Sequence, residues 1–278
     1  MPTVGSDPSK RASVRAASAA TVRASVRAAS AASVTAGVCW LAAGVAYLLA
    51  EAVTASAFPG YSYALNYISD LGIPDVEVLA GRPIDSPLHG VMTAGFVLHG
   101  VLFALGAIIL GLSARWPLRR TFVALAVIHA CGMGLIAFVP GGQASIAAGL
   151  GWVHLLGAGL ALFGGQGAAV VAGIALLRGQ GRAPARGGAQ LPGHRSIRLG
   201  VVGIVLGVIG FLGIVMLEID VRAVPGTILP DGVWERIGFY AVIAWDVVTG
   251  AALLKGAARS RGSAPTARRP DPRGIGAP

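Results

Sequence analysis

Eleven polar or ionisable residues lie where an apolar chain has least room for them. Tyr61, Asn66, Ser69 and Asp70 fall in YSYALNYISDLG (61–72), a polar dozen between two long greasy stretches. His89, His154, Glu235 and Arg236 each stand at the start of an apolar stretch further on. Together these eight form a candidate outer pocket. Arg236 could contact an anion, and Asp70 or His154 could act as a general base. Asp70, His89 and His154 also have the right types for zinc. His99, His129 and Asp246 lie deeper in their apolar stretches, and they could relay a proton or simply satisfy one another. HxxxH, HExxH and CxxC spacings are absent, as are GxSxG and phosphate-binding loops. No metal, cofactor or reaction is therefore assigned.

The elements that must position these residues follow from composition. The 278 residues are 55% hydrophobic and 12% charged, against about 25% charged in an average soluble domain. Mean hydropathy is +0.72. Lipid is the expected solvent. Six stretches reach the roughly 20 apolar residues that a spanning helix needs: 34–57, 87–112, 118–139, 150–177, 197–217 and 234–254. Backbone groups in lipid must be paired within the segment, and the alternation of a barrel is absent. The expected fold is all-α, a polytopic six-transmembrane-helix bundle over 34–255. A basic low-complexity tail (1–33) precedes it and a disordered tail (256–278) follows. Cys39 and Cys131 lie inside apolar runs and read as packing residues.

The net charge of +10 does not indicate nucleic acid, because the basic residues lie in tails and short loops. Nineteen of the 22 Lys and Arg fall in the tails, the second loop and the fourth loop; only Arg82, Arg222 and Arg236 lie on the other side. That asymmetry places both termini in the cytoplasm and the 61–72 stretch outside. His89, His154, Glu235 and Arg236 then all lie one turn below the outer surface. His99 is ten residues below His89, and Asp246 is ten residues into its span. Both are about 15 Å deep, level with His129 near the middle of span three. An Asp at that depth costs ~2.5–3.5 kcal/mol on insertion scales, so it must find a partner or a proton. Glu51, near the outer end of span one, is expected to face the outer cavity. Arg236 is expected to pair with Asp70, since Glu235 and Arg236 cannot share one helix face.

Other signals concern packing and processing. RASVRAASAATV (11–22) recurs as RASVRAASAASV (23–34) with one change, and reads as a disordered or lipid-adsorbed tail. ASAF (55–58) looks like a signal cleavage site, but the apolar run before it is too long for a signal core, so a retained helix is expected. Gly200, Gly203, Gly207, Gly210 and Gly213 line one face of span five, and Gly157, Gly159, Gly164, Gly165 and Gly167 populate span four; both read as close helix packing. Trp40 and Trp245 read as buried. RGQGRAPARGGAQLPGHRSIR (178–198) reads as a flexible linker, with His194 solvated. DSP (85–87) reads as a helix start, capped by Asp85 or Ser86.

These motifs resemble a known family. YSYALNYISDLG, then SP opening span two, FVPGG closing span three, HLLGAGLALF (154–163) and GVWERIG (232–238) are similar to the DUF998 family of bacterial and archaeal membrane proteins. The resemblance covers roughly residues 35–255. It implies six or so spans and carries no activity. On motif match it extends to Ser69, Asp70, Gly72, Ser86, Pro87, Pro140, His154, Glu235 and Arg236. Leu88-His89 stand where the family pattern has Phe-Asn, so His89 is not carried over.

The functional expectation is an outward polar pocket that binds a lipid headgroup or small polar solute, or serves an accessory role in the membrane. Membrane lipids are the expected partners. Catalysis on a membrane substrate and proton-coupled transport through His99, His129 and Asp246 are the alternatives. The spans show no inverted repeat by eye, which weighs against a carrier.

Overall fold

The computed structural model describes residues 8–113, 116–179, 193–223 and 228–262. Six of its seven helices are long and apolar enough to cross a membrane. They are α1 (Pro8–Ala57), α2 (His89–Ser113), α3 (Arg119–Phe138), α5 (Gly151–Arg178), α6 (Gly193–Ala223) and α7 (Asp231–Gly262); α4 (Gln143–Ala147) is a single short turn in a loop. Each spanning helix packs on its neighbours in sequence, and α7 closes the ring against α1. The chain is thus an all-α polytopic bundle, with its large apolar side chains turned both inward and out toward lipid.

The helices run furthest past the expected limits at three ends. α1 begins at Pro8 rather than Val34. The repeat is rich in Ala, the best helix former, and Pro suits a first helical position. Thr21 donates its hydroxyl to the Ala17 carbonyl at 3.0 Å, and Ser33 to Ala29 at 3.0 Å. Those back-bonds keep small polar side chains inside the helix rather than competing with it. α6 and α7 extend to Ala223 and Gly262. The linker core and the end of the C-terminal tail lie outside the described residues, as does the side chain of His194.

Small residues set the helix spacing. Gly200, Gly203, Gly207 and Gly210 lie against α5, and Gly213 against α7. At the α3–α5 seam, Cβ atoms on Gly132 or Gly164 would collide with the backbone opposite. Gly159 faces open space and has no such role. Trp40 and Trp245 are buried, with ring centroids 5.1 Å apart, and the Trp40 indole donates to the Phe103 carbonyl at 3.1 Å.

The first loop is more ordered than its sequence suggests. A 3₁₀ turn (Ser69–Gly72) is followed by an antiparallel hairpin, β1 (Glu77–Leu79) and β2 (Arg82–Ile84). Ala80 and Gly81 both have positive φ (47° and 79°), as a two-residue hairpin turn requires. The Ser86 hydroxyl donates to the Leu71 carbonyl at 2.7 Å. Ser86 therefore fastens the loop, while its carbonyl accepts the His89 amide at the start of α2. The Glu77 carboxylate accepts the Gln143 amide at 3.0 and 3.1 Å, tying the hairpin to α4.

Candidate functional site

Two polar networks occupy the bundle at different depths. The shallower one joins the first loop to α1 and α7, and Arg236 is its hub. Its Nε donates to Glu51 Oε1 at 3.2 Å, and Nη2 lies 3.1 Å from the same oxygen. Nη1 donates to the carbonyls of Tyr63 (2.6 Å), Asn66 (2.8 Å) and Gly232 (3.0 Å). Nη2 also donates to the Tyr61 hydroxyl at 2.5 Å. The guanidinium lies 4.8 Å from the Tyr63 ring centroid, within cation–π range. Glu51 takes a further hydrogen bond from Tyr240 at 2.9 Å. Gly232 is obligatory here, because a Cβ would run into the Asn66 and Ala64 carbonyls.

One sequence expectation is corrected by this geometry. Arg236 pairs with Glu51, not Asp70. Glu235 and Arg236 both serve the loop although they point about 100° apart on the helix. Glu235 accepts the Ile68 amide while Arg236 turns toward α1, because the loop drapes over both faces. The guanidinium donors are directed chiefly at internal acceptors, which turns Arg236 inward rather than toward a bound anion.

Asp70 has a different partner, in the hairpin. Arg82 forks onto it, with Nε to Oδ2 at 3.1 Å and Nη2 to Oδ1 at 3.2 Å. Asp70 also accepts from Asn66 Nδ2 (3.2 Å) and the Tyr67 amide (3.1 Å). The Arg82 guanidinium lies 4.5 Å from the Tyr67 ring centroid, and the Tyr67 hydroxyl donates to Asp231 on α7 at 3.0 Å. Burial alone would lower the Arg82 pKa, but the Asp70 pairing holds it above its usual value. Burial raises both the Tyr61 and Tyr67 hydroxyls; Arg236 opposes this at Tyr61, and acceptance by Asp231 reinforces it at Tyr67.

Not every candidate joins this network. His154 on α5 bonds the Val139 carbonyl at 2.8 Å through Nδ1. His89 bonds the Ser86 carbonyl at 3.2 Å. His89 secures its own turn, and His154 ties α5 to the C-terminal end of α3. Ser69 opens the 3₁₀ turn and is half-buried. Among the described residues no three His, Cys, Asp or Glu converge as a metal ion requires.

The deeper network gathers all three of its candidates. His99 Nε2 is 2.9 Å from Asp246 Oδ2. His129 Nε2 is 3.2 Å from His99 Nδ1, and His129 Nδ1 is 2.6 Å from the Ala161 carbonyl. All three side chains are wholly buried. The edge of the Tyr47 ring faces His99, with centroids 5.2 Å apart. Sequence reasoning missed Tyr47, Tyr240, Asp231 and the role of Arg82. Tyr240 had a signal: it is one helical turn after Arg236, so both can reach one partner.

Fold and sites together define a multi-pass α-helical membrane protein whose first loop is clasped onto the bundle by hydrogen bonds to Asp231, Glu235 and Arg236 of α7. The family model "Protein of unknown function (DUF998)" matches residues 41–252, and the chain belongs to that family. No curated protein and no solved structure matches it.

Proposed function

We propose that the protein binds a lipid of the outer leaflet in a groove between α6 and α7, with the first loop as its upper wall. The carrying observation is the groove itself, a cavity of about 530 Å³ lined by Tyr63, Leu206, Ile209, Arg236, Ile237 and Tyr240, among others. From Val233 to Ala241 it follows α7 for about 12 Å, starting at the loop and descending into the bundle. Its walls are largely aliphatic, and Ile209 is 43% exposed on the lipid-facing side of α6. A groove opening sideways into the bilayer meets acyl chains before any other solvent. The excess of basic residues at the tail end supports an outward position for the loop end.

The earlier expectation of a headgroup held by Arg236 changes with the geometry. Arg236 shapes the polar end of the groove with its ring and carbonyl partners, and the acyl chain supplies the contact area. Recognition then depends on shape and apolar burial. The test is native mass spectrometry of the full chain released from mild detergent, wild type against Ile209→Trp. Wild type should retain about one lipid per chain, and the indole should displace it. Equal lipid retention by both proteins would remove this reading.

A further inference from the structure

The deeper network carries an inference independent of the groove. A carbonyl can only accept, so His129 Nδ1 must carry a hydrogen toward Ala161. If His129 is neutral, its Nε2 is then an acceptor, and His99 must donate to it from Nδ1. If His99 is also neutral, its Nε2 accepts, and Asp246 must donate from a protonated Oδ2. Each donor therefore points the same way, from α7 through α2 and α3 to α5. The Ala161 carbonyl fixes the direction of the whole chain.

The same proton has two other positions. It can move from Asp246 Oδ2 to His99 Nε2, giving a carboxylate beside an imidazolium. The His99 Nδ1 proton can then pass to His129 Nε2, leaving His99 neutral with its hydrogen on Nε2. All three arrangements contain the same atoms and the same net charge of zero, and every joint stays hydrogen-bonded. Asp246 Oδ1 is buried and has no hydrogen-bond partner among the described residues. A neutral carboxyl oxygen tolerates that more readily than one carrying half an ionic charge, so the proton rests on Asp246.

Removing the proton has a forced consequence. With His99 unchanged, a carboxylate would face the Nε2 lone pair. If His99 shifts its hydrogen to Nε2 to meet the carboxylate, its bare Nδ1 faces the bare Nε2 of His129. His129 cannot adjust, because Ala161 holds its hydrogen. One of the two joints to α2 must open, and it is the neutral one to His129, because a hydrogen bond from His99 Nε2 to the carboxylate is charge-assisted and the stronger.

We infer that Asp246, His99 and His129 form a binding site for one proton, whose occupancy decides whether α2 is tied to both α3 and α7. Groups from the packed helices surround it. α1 presents Tyr47 to His99, α2 presents Phe103 to both imidazoles, and α5 presents the Ala161 carbonyl, Gly164 and Gly165 to His129, while Trp245 of α7 packs on Phe103 and Val242 on Gly165. Among the described residues the titratable neighbour is Tyr47. Its charged neighbours Glu51, Glu235 and Arg236 belong to the loop network. The site therefore answers to proton activity without a second charge beside it.

The test is ¹⁵N NMR of the histidine-labelled full chain in lipid nanodiscs across the pH range in which it stays folded. His99→Gln and His129→Gln assign the signals. At low pH both histidines should carry the hydrogen on Nδ1, the minor form of free histidine. As pH rises, His99 should switch to the Nε2–H form while His129 keeps Nδ1–H. Asp246→Asn preserves the shape and donates to His99 from its amide, so it should freeze His99 as Nδ1–H at every pH. Should Asp246→Asn fail to fold, the disappearance of a carboxylic-acid infrared band in step with the His99 switch provides the same check in wild type. A His99 signal that never changes, or a switch at His129 instead, overturns the proposal.

Discussion

The loop network and the deeper network are both buried and both polar, yet they solve the problem of charge in lipid differently. The loop network keeps its charges and surrounds them. Arg236 faces Glu51 and three backbone carbonyls, and Arg82 forks onto Asp70. The deeper network needs only one proton across three side chains to be neutral. The first solution belongs at the membrane boundary, where backbone from the loop can supply acceptors. The second belongs at mid-membrane, where helices offer few free carbonyls and a neutral chain avoids most of the insertion cost. Charge is retained where loose backbone exists to solvate it, and cancelled where none does.

The contrast can be tested by removing one group from each. Arg236→Ala should have the largest effect, because it leaves Glu51 as an unpaired buried charge. Loss of a buried partner costs about 3–5 kcal/mol, measured by denaturant titration in micelles. Arg236→Lys should recover little of this, since an ammonium cannot reproduce the fork. Asp246→Ala should cost less, about 1–3 kcal/mol by the same titration, because it orphans a neutral imidazole nitrogen. Equal losses at the two sites would contradict the assignment of one network as ionic and the other as neutral.

The smallest effect is expected at Tyr67→Phe, about 0.5–1.5 kcal/mol for the bond to Asp231. It should also change the alkaline response. The Tyr67 pKa is raised in the folded protein, first by burial and then by the Asp231 bond. A raised pKa means a stabilising contribution that is complete below the unfolded value of about 10 and is lost as pH rises through the folded value. Hydrogen exchange over residues 66–84 should therefore quicken above about pH 10 in wild type, and the step should shrink in Tyr67→Phe. An unchanged alkaline step would exclude Tyr67 as its source.

Much of this was legible in the sequence, for physical reasons. Length and apolarity reveal spans because lipid thickness fixes both. Equal depth of His99, His129 and Asp246 follows from counting 1.5 Å per residue from helix ends at one surface. The partner of Arg236 was not legible. Asp70, Asp231 and Glu51 all lie near the same boundary, and choosing among them needs the helix phase. The hairpin was missed because three-residue strands carry almost no periodicity, and only Ala80-Gly81 marks its turn. The helix through 8–33 was missed because basic low-complexity composition outweighed its alanine content.

Arg236 has a consequence in time as well as space. Its contact with the Asn66 carbonyl spans 170 residues of sequence, and at about 5–20 residues per second of synthesis that is a delay of roughly 10–30 s. The first loop leaves the ribosome early but cannot be clasped by Arg236 until the last helix enters the membrane. During that interval Glu51 has no arginine partner, and α1 must be held by its neighbours alone. A chain stopped before α7 would display the loop unclasped, a mark by which an unfinished copy differs from a finished one.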